Sequence, residues 1–175
     1  MVEDQIIIEN CSAEEVAEII LKKLEEWHIL STDMPSFPCL EESGTNTASS
    51  VKNAKVLISG GRGIGTAEYF DTLRELAKLL GGEVSSSRAN VDAGWISSNR
   101  QVGQTSNIVS PELYLALGIS GTPQHLAGIR GAKRIIAINK RKDASIFGVA
   151  DLGVIADLHE IVPIMISRLK EWEGK

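Results

Sequence analysis

The chain has 175 residues, 43% of them hydrophobic and 23% charged, with a net charge of −5 and 16 glycines. That length supports one α/β domain with a real core and room for an appendage. The acid excess, with no basic block to offset it, argues against a nucleic-acid or anionic-membrane partner, and no apolar run approaches the ~20 residues of a bilayer span.

The N-terminus MVEDQIIIEN is acidic and its apolar run is short, which does not fit a secretory signal. Val2–Glu9 reads as a short strand. Ser12-Ala-Glu-Glu15 has the spacing of a capping box and opens a helix whose Val16, Ile20, Leu24 and Trp27 form one apolar stripe. The residues do not say what that stripe packs against. The following stretch is rich in Ser, Thr, Asn and Pro, lacks periodicity, and is longer than the loops of a compact domain. It reads as a linker over 31–54, between a strand-helix appendage over 1–30 and a main domain over 55–175. Cys11 and Cys39 match no metal or redox spacing, so reduced thiols in a cytoplasmic chain are the expectation.

Lys55–Ser59 reads as a strand that runs into the turn Gly60-Gly-Arg-Gly-Ile-Gly65. Thr66–Leu80 follows as a helix with Phe70, Leu73, Leu76, Ala77 and Leu80 on its inner side, and Gly81-Gly82 ends it. Glu83–Ser86 is a second strand, and Ser87–Val102 is irregular and polar. Leu113–Leu117 is almost wholly apolar, as a strand buried on both faces must be. Thr122-Pro123 then reads as an N-cap and first helical residue, which puts Gln124 and His125 beside unpaired backbone N–H groups. Arg134–Ile138 and Gly153–Ala156 are further strands. Asp157–Trp172 is a helix, with Leu158, Ile161, Ile164, Met165 and Leu169 inward and Pro163 predicting a kink or restart. Strands alternating with helices at this spacing predict a doubly wound, mostly parallel sheet.

The polar clusters follow the strands. Arg62 sits in the glycine turn, Ser87-Arg88 after the second strand, Ser120–His125 after the third, Asn139 after the fourth and Asp157 after the fifth. In a parallel sheet these ends share one edge, where such folds hold ligands. The glycine turn does not match G-x-G-x-x-G. It suits a tight turn or a phosphate approached by backbone, and Arg62 would complement a diphosphate. Asp92 reads as ordering its loop, and Trp95 as a packing residue.

GGRG (60–63), SRANVDAG (87–94), QVGQT (101–105), LYLALGISG (113–121), QHLAG (124–128), IAINK (136–140) and VADLGVIADL (149–158) resemble the FAD-binding domain of the electron-transfer flavoprotein α-subunit. The similarity runs in order from about Lys55 to about Leu169. It implies a Rossmann-like fold with FAD extended along the strand edge. The implied role is that of an electron carrier, not an enzyme, working between flavoprotein dehydrogenases and an acceptor through an anionic flavin semiquinone. Position by position, the resemblance puts Arg62 at the pyrophosphate and Ser87 and Arg88 near the flavin ring. Val102, Gly103, Gln104 and Thr105 fall along the ribityl chain and ring, with Thr105 as a donor near N5. Ser120, Gly121, Thr122, Pro123, Gln124 and His125 surround the pyrimidine edge and phosphates. Asn139, Asp157 and Leu158 match the adenosine end. Redox tuning would fall to Arg88, Thr105 and His125: unit charges ~4 Å apart interact by about 4 kcal/mol at an effective dielectric of ~20, so a cation outweighs a neutral donor.

This chain departs from the family pattern at Thr122-Pro123, Ser106-Asn107 and Arg141–Ser145. The family's N-terminal α/β domain, which packs with a β-subunit, has no counterpart in the stretch before the linker. An electron-transfer flavoprotein β-subunit-like partner, or self-association, is therefore expected to cover the flavin. Two alternatives stay open: a nicotinamide-nucleotide domain, and an interaction module of the same fold that has lost FAD.

Overall fold

The computed structural model describes residues 4–30 and 51–173. Six strands, β1 (Ile6–Glu9), β2 (Val56–Gly60), β3 (Glu83–Ser86), β4 (Leu113–Leu117), β5 (Arg134–Asn139) and β6 (Leu152–Ile155), form one sheet in the order β1-β6-β5-β4-β2-β3. Every neighbouring pair is parallel. The helices are α1 (Ala13–Glu26), α2 (Tyr69–Leu79), α3 (Arg88–Asp92), α4 (Pro123–Gly128) and α5 (Leu158–Glu173). No helix among the described residues is long and apolar enough to cross a membrane.

The alternation of side chains along the central strands divides the core in two. Leu113, Leu115 and Leu117 of β4 join the cluster under α1, α2 and α5, with Ile20, Phe70, Leu73, Leu76, Ile161 and Met165. Tyr114 and Ala116 point to the other face, which is covered by Ile146 and Phe147 of the 3₁₀ segment Ser145–Gly148 and by loops that contribute Val102, Val109 and Ile119. β4 is buried at every residue because it has a layer on each side.

The winding direction reverses at β2. The chain passes through α2 to β3 on one side of β2, then returns to β4 on its other side. Right-handed crossovers in opposite directions put α2 and α4 on opposite faces and open a crevice beyond the ends of β2 and β4.

Several boundaries differ from expectation for local reasons. Helix α2 begins at Tyr69 and not Thr66, because Arg62–Ile64 forms a 3₁₀ turn that ends at Gly65 with φ +88°. The polar stretch after β3 contains α3 and the 3₁₀ turn Ser98–Arg100. Helix α5 runs unbroken through Pro163, which is exposed, and Ile164 is only half-buried while Val162 and Ile166 join the core.

The N-terminal segment is not the appendage expected. Strand β1 pairs with β6 from Ile6↔Leu152 to Glu9↔Ile155. The Gln5 side-chain amide donates to the Phe147 carbonyl and, at 2.8 Å, to that of Ala150. The capping box forms as read, with Ser12 and Glu15 satisfying each other's backbone N–H at 2.9 and 3.2 Å. Helix α1 lays Val16, Ala17, Ile20 and Leu24 into the same apolar cluster as α5, and Arg168 pairs with Glu18 at 3.3 Å. Of the expected linker, 31–50 lies outside the described residues, as do Val2, Glu3 and Cys39.

Because Ile20 is fully buried in this shared core, Ile20→Ala is expected to destabilise the whole protein by about 2–5 kcal/mol. Urea unfolding followed by near-UV signal from the sheet domain checks it. A global midpoint that does not move would mean that α1 is a separate unit.

Candidate functional site

Two turns meet backbone to backbone where the winding reverses. The Gly61 N–H donates to the Leu117 carbonyl at 2.9 Å, and the Gly63 N–H to that of Gly118 at 3.1 Å. A Cβ on Gly63 would lie 2.6 Å from the Gly118 Cα, and Gly118 itself has φ +66°. Only glycine fits this approach. Beside it opens a cavity of about 690 Å³, of the size that small-molecule sites have. Its third wall is the loop 101–105. That loop is tied down by Val102 N–H to Ser86 O at 2.9 Å, Gly103 N–H to Asn107 O at 3.1 Å, and Gln104 N–H to Gln124 O at 2.9 Å.

The cavity gathers Arg62, Ser87, Arg88, Val102, Gly103, Gln104, Thr105, Ser120, Gly121, Thr122, Gln124, His125, Asn139, Asp157 and Leu158. Pro123 is the predicted site residue it does not include. As the first residue of α4, Pro123 is exposed and shapes the helix start instead. Trp95 also stays away, half-buried against the core.

The charged residues are arranged at the two sides of the cavity. Arg88 Nε donates to Asp92 Oδ2 at 3.3 Å, with both side chains well exposed. Such a pair is worth well under about 1 kcal/mol, so the guanidinium can be re-aimed at small cost. On the opposite side Lys140 Nζ meets Asp157 Oδ2 at 2.8 Å. Asp157 Oδ1 accepts from the His159 backbone N–H and faces His159 Nδ1, each at 2.9 Å. Partial burial raises the Asp157 pKa, but the hydrogen bonds from Lys140 and His159 outweigh it and hold the carboxyl at about 2. His159 Nε2 lies 2.8 Å from the Ile64 carbonyl, and its ring stands edge-on to Tyr69 at 4.7 Å. His159 thus straps the Arg62 turn to the start of α5.

His125 is the buried member of the site, at 5% exposure. Its backbone N–H donates to the N-cap Thr122 Oγ1 at 3.4 Å. Nε2 lies 2.8 Å from the Tyr114 hydroxyl, whereas Nδ1 is buried without a hydrogen-bond partner. Desolvation lowers the ring pKa to about 4, against a weaker pull upward from the Val102 backbone. The ring is neutral at pH 7.

Asn139 lines the cavity with its amide already engaged: Nδ2 donates to Ile119 O and Oδ1 accepts from Arg141 N–H, both at 2.9 Å. It fastens β5 to the turn after β4. Lys140, Arg141 and Gln101 also line the cavity and were missed by the sequence reading. The signal available for the first two was the register: they directly follow Asn139 at a strand end. His159 had no such signal, since its role depends on a carbonyl 95 positions away. The departures from the family pattern have local functions. Asn107 Nδ2 donates to Asn99 O at 2.7 Å and Gln101 O at 2.9 Å, closing the base of the 101–105 loop.

The family model described as Electron transfer flavoprotein FAD-binding domain matches residues 50–130. Electron transfer flavoprotein subunit alpha of Thermoanaerobacterium thermosaccharolyticum is 51% identical over 121 residues, covering 69% of this chain and 37% of that protein. The mitochondrial electron transfer flavoprotein subunit alpha of Arabidopsis thaliana is 50% identical over 119 residues, 68% of this chain and 33% of its own length. A probable mitochondrial subunit alpha of Cryptococcus neoformans is 46% identical over 147 residues, covering 83% of this chain and 42% of that protein. The chain thus spans between a third and somewhat under half of the length of the curated relatives it matches. With this identity across more than two thirds of its residues, the chain belongs to the electron-transfer flavoprotein α-subunit family, and the cavity walls from Gly61 to His125 fall within the residues that the FAD-binding-domain model matches.

Proposed function

We propose that the chain binds FAD along the strand edge and serves as an electron carrier between a flavoprotein dehydrogenase and an acceptor. The observation that carries this reading is the convergence of turns from β2 to β6 on one crevice with a cation at one side and an ionised, hydrogen-bonded carboxylate at the other. The residues present fit the group. The glycine approach leaves backbone within reach of a diphosphate, and the buried His125 Nδ1 awaits a partner. When bound, the flavin would supply the one-electron chemistry.

The chain's own residues then divide the work. Arg62 complements the diphosphate. Gln104 and Thr105, on the loop held by Gln124 and Asn107, offer polar groups toward the ring. Arg88 brings positive charge to the ring, and small reorganisation suffices because its bond to Asp92 is exposed. His125 contributes a neutral contact, since burial keeps it uncharged. Asp157 stays ionised and accepts from ribose or adenine donors, with Lys140 and His159 holding it in place. Ser87-Arg88 stands where a nicotinamide-nucleotide domain carries an acidic ribose ligand, which disfavours that alternative. A β-subunit-like partner, or a second copy, would cover the open side of the flavin.

The purified protein is expected to show oxidised flavin absorption, or to gain it on titration with FAD. A colourless protein that refuses FAD would overturn the reading. Arg88→Ala is expected to lower the first reduction potential by about 60 mV, one tenfold step in a one-electron equilibrium, with an unchanged potential removing Arg88 from this role. Asp157→Ala is expected to weaken FAD affinity about tenfold while leaving the potential in place; the reverse pattern in a binding and spectroelectrochemical titration would refute its assignment.

His125 predicts a pH dependence of stability. Its ordinary pKa is 6.5 and its folded value about 4, so between them the unfolded chain takes a proton that the folded one refuses. The contribution is complete above pH 6.5 and is lost as pH falls toward 4, by about 3 kcal/mol. Chemical denaturation at stepped pH checks it, and His125→Gln should remove that slope.

A further inference from the structure

We propose that Asn90 is a positioning residue for Arg88: its buried amide anchors helix α3 on the Gly60 carbonyl, so that Arg62 and Arg88, both lining the cavity, are referred to one peptide unit, Gly60–Gly61. What Arg88 meets in the cavity rests on the FAD reading; the anchor itself does not.

Helix α3 is five residues long, and Asn90 is its one buried residue. Arg88 and Asp92 are exposed, and Ala89 and Val91 are half-buried. A helix this short has no stability of its own, so its place comes from what it is bonded to. Asn90, at 0% exposure, donates from Nδ2 to the Gly60 carbonyl at 3.1 Å. A carbonyl only accepts, so the direction of this bond is fixed and the NH₂ end of the amide must face it. The N–H of Ser87, the N-cap of α3, donates to the same oxygen at 3.1 Å. The helix is thereby tied to a single acceptor at its N-cap and again at its middle.

Gly60 is the last residue of β2, and the chain beyond it is the turn that carries Arg62. On the other side of the same peptide unit the Gly61 N–H donates to the Leu117 carbonyl at 2.9 Å. The unit is thus bonded to α3 through its oxygen and to β4 through its hydrogen. Arg62 follows it directly, and Arg88 stands two residues before the Asn90 anchor; both line the cavity. The Arg88 side chain is paired with the exposed Asp92, a weak restraint, so the reach of its charge is set by where α3 sits.

For stability alone the amide is a poor choice. Its Oδ1 is buried without a hydrogen-bond partner among the described residues, a cost that an apolar side chain of the same shape would avoid. The Gly60 oxygen does not depend on it either, since the Ser86 hydroxyl lies 3.0 Å away and donates there as well. A half-satisfied amide beneath an exposed arginine is what functional sites show, where placement outranks stability.

The test compares the wild type, Asn90→Ala, Arg88→Ala and the double variant, each as the full chain. Amide hydrogen exchange comes first and needs no flavin. In Asn90→Ala the Ser87 and Ala93 N–H groups are expected to exchange about tenfold faster, while those of β4 keep their wild-type rates. Unchanged Ser87 and Ala93 rates overturn the proposal, and so does an equal rise in β4, which would make Asn90 a residue of the fold and nothing more. Spectroelectrochemical titration of the FAD-loaded protein gives the second readout. Asn90→Ala is expected to shift the first one-electron equilibrium about threefold toward oxidised flavin, which is ~30 mV at about 59 mV per tenfold, and to shift it no further in the Arg88→Ala background. The same shift in both backgrounds, or none in either, overturns the action through Arg88. If Asn90→Ala does not fold, Asn90→Leu keeps the branched shape without the donor, and the same outcomes are read from it. A protein that refuses FAD would sink the cofactor reading while the exchange rates still decide whether Asn90 anchors α3. A flavin-loaded protein whose Asn90→Ala variant exchanges like the wild type would do the opposite.

Discussion

The structure depends on a contact that involves no side chain: the crossing of the turns after β2 and β4 at Gly61, Gly63 and Gly118. The sheet reverses its winding there, so these two strands end side by side while their helices depart to opposite faces. Any β-carbon at Gly63 or Gly118 would push the turns apart and with them Arg62 on one side and the Ser120–His125 turn on the other. Every element of the cavity is referred to this point, and the 101–105 loop adds to it through backbone hydrogen bonds. The site is thus held mainly by main chain, which leaves its side chains free to be chosen for chemistry.

Its electrostatics follow from depth. Arg62, Arg88 and Lys140 at the rim are exposed, and Arg88 and Lys140 each pair with a nearby carboxylate. His125, placed deeper, cannot afford a charge and becomes a fixed neutral group backed by Tyr114. Asp157 lies between these cases: half-covered, it is kept ionised by donors from β5's end and from the first turn of α5. A gradient from exposed charge at the rim to a buried neutral group inside is the arrangement that favours an extended anionic ligand with a neutral, redox-active end.

The N-terminal segment shows how the core extends the sheet. Strand β1 continues the parallel ladder past β6, and α1 fills the space beside α5. The sequence displayed the amphipathic stripe and its capping box but not their destination, because an apolar face specifies only that it will be buried and not against what. A long polar stretch after it made a separate unit the natural reading. The exposed Ile6 and Ile7 gave no contrary hint, since their strand lies at the edge.

By itself the sequence determined the local units: which residues are strands, where Thr122 and Ser12 cap helices, and that the polar clusters follow strand ends. These depend on periodicities and on neighbours within a few residues, so they can be read along the chain. It also carried the family resemblance that singled out Arg62, Arg88, His125 and Asp157. Only the tertiary structure decided that Asn139 is engaged by the turn after β4, that His159 reaches back to Ile64, that Arg88 rests on Asp92, and that Tyr114 stands behind His125. Apart from Arg88 and Asp92, those pairs join residues from different elements, and each partnership is set by the order in which the strands lie and not by the order in which they are written.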